Sequence, residues 1–166
     1  GYKLYNYHVV GGHAYNRDFK SASKKIIDYI EFSQRFAEGK NIFIQGILDT
    51  TSLITAKAYT QEDFNLMQNV YVRIDEITDD IYINHIWLAR SLSDDNLEES
   101  IKHLNKAINL SKASEEAYRE IIRLFSQNKE LGFLLKKYCK IYFNEFGGST
   151  QGRIATAQDD NKIFYG

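Results

Sequence analysis

The sequence predicts an all-α protein of antiparallel helical hairpins packed side by side, about seven helices in total. Three observations predict it. Apolar residues recur at three- and four-residue steps through most of the chain, the period of a helix that buries one face. The polar breaks between these segments are only a few residues long, which makes consecutive helices antiparallel neighbours. And the 166 residues contain no proline, so the commonest helix breaker is absent.

Taken in order, the chain opens with Tyr2, Tyr5, Tyr7, Val9 and Val10 before Gly11-Gly12, a pattern of an extended arm, or a short strand and turn, over 1–15. Asn16 can cap a first helix from Arg17, whose stripe is Phe19, Ala22, Ile26, Ile27, Ile30 and Phe36, with Gly39 as its C′ glycine. Residues 41–59 carry Ile42, Phe43, Ile44, Ile47, Leu48, Leu53 and Ile54, which fit a buried helix. Thr50-Thr51 and Gly46 weigh against one regular helix there. Thr60 and Asp63 have capping-box spacing before the stripe Phe64, Met67, Val70, Tyr71 and Ile74.

Thr78 and Asp79 are expected to cap the next helix, striped by Ile81, His85, Leu88, Ala89 and Leu92. It stops at the turn Ser93-Asp94-Asp95-Asn96. Leu97, Ile101, Leu104, Ala107 and Ile108 define its partner. Ser114 is positioned to cap a helix containing Ala117, Tyr118, Ile121, Ile122 and Phe125. Leu131, Leu134, Leu135, Tyr138, Ile141 and Tyr142 mark the last, which ends near Gly147-Gly148. The helical domain thus spans 16–148, and 149–166 is a linker or the start of a following domain. A beginning at Gly1 without methionine is expected of a segment of a longer polypeptide.

The four clearest helices repeat. Moved on by 33 positions, His85, Leu88, Ala89 and Leu92 fall on Tyr118, Ile121, Ile122 and Phe125. Moved by 34, Ser100, Leu104, Ala107 and Ile108 fall on Leu134, Tyr138, Ile141 and Tyr142. A recurrence of this length marks stacked helical hairpins. The stretch Ile86-Trp87-Leu88-Ala89-Arg90-Ser91-Leu92, a polar turn, and then Ser100, Leu104 and Ala107 resembles the tetratricopeptide (TPR) repeat family. Small residues let paired helices approach closely, and large ones fill the groove toward the next pair. Asp95 or Asn96 stands where that family has a turn glycine, and no proline closes either repeat.

The resemblance covers 79–146 and extends less regularly over 17–76. It implies a short TPR-like solenoid with a concave binding face made by the first helix of each pair. Tyr82, Asn84, Trp87, Arg90 and Arg119 are the residues expected on that face. Glu115 to Phe125 with Tyr138 and Glu145-Phe146-Gly147 also resembles the helical domain of bacterial transcriptional activators. Their DNA-binding domain has no counterpart in this chain.

Composition narrows the functions. The 21 basic and 22 acidic residues give a net charge of -1, which offers no overall field for nucleic acid or an anionic membrane. A small basic face can still hide in a neutral total. The 12 Tyr and 10 Phe fit either a binding surface or a low-GC genome. Cys139 is the sole cysteine, so no intrachain disulfide forms, and no apolar run reaches membrane-spanning length.

No set of residues stands out as a catalytic or metal centre. His8 and His13 flank Gly11-Gly12 with no further ligand at metal spacing. His85 reads as a packing histidine and His103 as part of a solvated face. Asp75-Glu76, Asp79-Asp80, Asp94-Asp95 and Glu98-Glu99 fall at helix ends, where caps and helix dipoles account for them. Gly147 to Arg153 lacks the lysine and the glycine spacing of a phosphate loop. Cys139 has no histidine partner in sequence, and Lys24-Lys25, Lys136-Lys137 and Lys140 read as solvation of outer faces.

The expectation is a non-catalytic scaffold or interaction module of a larger bacterial protein, with a protein or peptide partner and no cofactor, metal or nucleic acid. The alternatives are a helical appendage of an extracytoplasmic envelope or polysaccharide-assembly protein, with glycan as a further partner, and the activator domain.

Overall fold

The computed structural model of the protein describes residues 10–13, 15–36, 40–111 and 115–147, and among them every regular element is helical. The helices are α1 (Phe19–Phe36), α2 (Lys40–Thr55), α3 (Gln61–Ile77), α4 (Tyr82–Leu92), α5 (Leu97–Leu110), α6 (Glu115–Gln127) and α7 (Gly132–Phe146). A 3-10 turn, Lys129–Leu131, leads into α7. The all-α class is therefore as expected. Most of the N-terminal arm with His8, the Gly39 and Ser114 caps, and the tail 149–166 lie outside the described residues.

Residues 10–13 are helical where an extended arm was expected, because Val10 is fully buried in the core of the first helices. The first cap also differs. Arg17 has φ 59°, a left-handed conformation that ends any helical run before it. Asp18, not Asn16, then accepts the backbone N–H of Ser21 at 3.1 Å and opens α1. Arg17 ties this entry to the start of α3. Its Nη2 donates to Asp63 Oδ2 at 2.6 Å, its Nη1 to the Lys57 carbonyl at 3.3 Å, and its guanidinium lies over the Phe19 and Tyr59 rings.

Residues 41–59 are helical only as far as Thr55. Both threonines lie inside α2: Thr50 Oγ1 donates to the Gly46 carbonyl at 2.9 Å, and Thr51 is fully buried with its Oγ1 lacking a hydrogen-bond partner. The capping box of α3 forms as its spacing implied, with Asp63 N–H donating to Thr60 Oγ1 at 3.2 Å and Asp63 Oδ2 accepting from Thr60 N at 3.0 Å.

The start of α4 departs from expectation. Thr78 closes α3, its N–H donating to the Ile74 carbonyl, and Ile81 occupies the N-cap of α4 without a side-chain bond. Asn96 caps α5 by accepting from Glu99 N at 3.2 Å.

Neighbours in sequence pack together along α3, α4, α5, α6 and α7, and α1 packs on both α2 and α3. The core has two main parts joined through α4. Trp87 and Leu88 belong to the part with Ile26, Ile30, Met67 and Tyr71, and Ala89 to the part with Leu104, Tyr118 and Ile122. All six side chains from Asn84 to Ala89 are buried, so α4 is the central helix. Close approach to α5 rests on Ser100, fully buried, whose Oγ donates to the Ala89 carbonyl at 2.6 Å. Ala107 and Ala117 are likewise fully buried, beside Ile86.

Candidate groove between α2, α4 and α6

An open groove of about 530 Å³ runs between the C-terminal end of α2, the start of α3, and the helices α4 and α6. From α4 it is lined by Ile83, Ile86, Trp87 and Arg90, and from α6 by Glu116, Arg119, Glu120 and Arg123. Each of the four on α4 has its counterpart on α6 33 positions later, so equivalent faces of the two helices form its walls. Ser52 and Thr55 of α2, with Ala56 just after it, show the same three-then-one spacing as Ile83, Ile86 and Trp87. The groove is thus shared by α2, α4 and α6.

The floor is apolar and fixed. Trp87, 8% exposed, rests against the Tyr71 ring at 5.7 Å with a 36° tilt. Tyr71 is itself held by a 2.9 Å hydrogen bond between its hydroxyl and Thr55 Oγ1. Burial raises the Tyr71 hydroxyl far above its ordinary pKa, so it stays protonated.

The wall is a chain of charges. The Arg90 guanidinium sits 4.9 Å from the Phe64 ring centroid, and its Nη1 donates to both Glu120 oxygens at 3.3 and 3.5 Å. Glu120 Oε1 also accepts from Arg123 Nε at 2.6 Å, and Arg123 Nη1 donates to Gln127 at 2.7 Å. Arg90 Nε is buried without an acceptor. Arg123 Nη2 lies 2.6 Å from Glu120 Oε1 but off the line of its N–H bonds, so it too lacks a hydrogen bond. Arg119 is exposed and enters no ion pair among the described residues. Three arginines face two glutamates, an excess of positive charge on the wall.

Of the five residues expected on a binding face, Trp87, Arg90 and Arg119 come together in the groove. Tyr82 and Asn84 do not line it. Tyr82 is 37% exposed at the first position of α4. Asn84 is 1% exposed, and its Nδ2 donates to the Tyr71 carbonyl at 3.0 Å, which makes it a tie between α3 and α4. The sequence reading missed Phe64, Ile83, Ile86, Glu116, Glu120 and Arg123. The 33-residue shift, applied to Trp87 and Arg90, points to the last two.

A second polar cluster lies between α3, α4 and α5. His85 Nε2 is 2.7 Å from the Asp79 carbonyl and His85 Nδ1 is 2.9 Å from His103 Nδ1, with the rings stacked at 5.1 Å. A carbonyl only accepts, so His85 carries its proton on Nε2, and in the neutral pair His103 Nδ1–H donates to His85 Nδ1. His103, expected on a solvated face, is half-buried under His85. Burial, and after it the neighbouring His85, lowers its pKa. Asp75 Oδ1, 3.6 Å from His85 Nε2, is buried without a hydrogen-bond partner. Among the described residues no three His, Cys, Asp or Glu side chains are grouped to hold a metal ion, and no helix is long and apolar enough to cross a membrane. Cys139 is buried in the second part of the core.

Compared with protein-family models, curated proteins and solved structures, the chain matches none.

Proposed function

We propose that the chain is a non-catalytic interaction module that holds a peptide segment of a protein partner in the α2–α4–α6 groove. The observation that carries this reading is the 33-residue correspondence of the groove-lining positions on α4 and α6. It joins equivalent helix faces into one surface, as in the TPR-like arrangement the sequence resembles. The groove supplies what a peptide site needs: an apolar floor at Ile83, Ile86 and Trp87, and an exposed cation at Arg119 for orientation. The neighbouring charges are already engaged with one another, which suits recognition better than proton transfer.

Trp87 is the sole tryptophan, so its fluorescence reports directly on occupancy of the floor. Peptides selected from a random display library on the intact chain are expected to shift that emission. Arg119→Ala is expected to weaken them about tenfold, the scale of a lost charge-assisted contact. Tyr82→Ala, outside the groove, leaves affinity unchanged. Selected peptides that bind Arg119→Ala and wild type alike, without any change in Trp87 emission, would refute the assignment.

A further inference from the structure

The outer face of α7 concentrates what the total charge conceals. Leu135, Cys139 and Tyr142 turn inward, and α6 is the helix against which α7 packs. On the opposite side Phe133 is 83% exposed and Phe143 46%, with exposed Lys136, Lys137 and Lys140 between them. At 100° per residue these five fall within an arc of about 120°, centred near Lys140 and Phe133. The remaining member of the arc is Asn144, and no acidic residue lies inside it. Among the described residues none of the three lysines is in an ion pair. Lys102 and Lys106 of α5, by contrast, are held by Glu99 and Asp79 at 2.6 Å.

We infer that this face of α7 docks on an anionic lipid surface. The charge selects an anionic partner, and the shape selects a deformable one. A single convex helix has no walls to enclose a peptide, whereas headgroups can settle around it. Phenyl rings at both ends of the cluster enter the boundary between headgroups and acyl chains, and the lysine stems let the ammonium groups reach the phosphates. Lysine is a flexible point charge suited to phosphate without a fixed orientation. Docking of this kind lays the helix along the surface and requires no membrane-spanning segment. It is independent of the groove.

The test is co-sedimentation of the full chain with vesicles of phosphatidylcholine alone, or mixed in equal parts with phosphatidylglycerol. Binding is expected only to the mixed vesicles and is expected to weaken as salt rises. Each Lys→Gln change is expected to lower partitioning about fivefold, so Lys136→Gln, Lys137→Gln and Lys140→Gln together lower it about a hundredfold. Phe133→Ser lowers it several-fold at every salt concentration. All four positions are exposed, and unchanged circular dichroism confirms that each variant folds. The inference is overturned if mixed vesicles leave the chain in the supernatant or bind the triple variant equally. Binding of an oligothymidylate or a poly-glutamate probe while the vesicles are ignored overturns it as well, in favour of that partner.

Discussion

Replacing Asp63 with alanine removes one carboxylate on which the start of α3 depends. Its Oδ2 accepts from Tyr59 N at 2.9 Å, Thr60 N at 3.0 Å and Arg17 Nη2 at 2.6 Å. Loss of the capping interactions costs about 1 kcal/mol. The Arg17 pair adds about 0.5 kcal/mol, since that side chain is 45% exposed and screened by solvent. A sum of about 1.5 kcal/mol corresponds to a fall in Tm of about 3–6 °C for a chain of this size.

The pH dependence has a definite sign. Burial raises an acid, but the Tyr59 and Thr60 N–H groups and the Arg17 guanidinium outweigh it, and Asp63 titrates below its ordinary value of 3.8. Its stabilisation is therefore fully present above that value and is lost as pH falls through the lower folded value. Thermal melts followed by circular dichroism should show the deficit of Asp63→Ala at neutral pH and a deficit that shrinks as pH falls below 3.8. A melting temperature within about 1 °C of wild type at neutral pH would refute the reasoning, because it would leave three directed contacts without energetic weight.

Three further outcomes are expected. His103, lowered by burial and then by His85 and Lys106 against the opposing charges of Asp75 and Glu99, binds its proton more weakly folded than unfolded. Stability is therefore expected to fall as pH drops below about 6.5, and His103→Gln should flatten this part of a Tm-against-pH curve. Ser100→Leu should destabilise by about 1–3 kcal/mol in urea titrations, because its Oγ already meets the α4 backbone at 2.6 Å, while Ser100→Ala should cost about 1 kcal/mol. Tyr71→Phe should cost about 1–2 kcal/mol by stranding the buried Thr55 hydroxyl, and a Thr55→Val background should erase most of that loss in a double-mutant cycle.

Features that depend on neighbours in the chain were legible in the sequence. The Thr60–Asp63 box forms within four residues, and the stripe from Met67 to Ile74 follows from helical period alone. The small residues Ala89, Ser100 and Ala107 are buried where the repeat placed them. Thr78 was misassigned because one residue can close α3 or open α4, and the end of α3 decides which. Asn84 is buried rather than on a binding face because the resemblance that placed it there assumes an open side on α4. With α3, α5 and α6 all packed on α4, that assumption fails. The equal spacing of Arg90 and Arg123 was in the sequence, but their joint hold on Glu120 was not.

The sequence by itself determined the helices, most of their boundaries and the recurrence of α4 and α6, because backbone hydrogen bonding and apolar period are local. Tertiary structure decided which faces are left over. The groove draws on α2, α3, α4 and α6, and the bare lysine face of α7 exists because α6 covers the opposite side. Net charge and residue order carry no record of which charges meet an opposite partner. That depends on three-dimensional proximity, which turns Arg90 and Arg123 into a partly buried clamp on Glu120 and leaves Lys136, Lys137 and Lys140 without an opposite charge among the described residues.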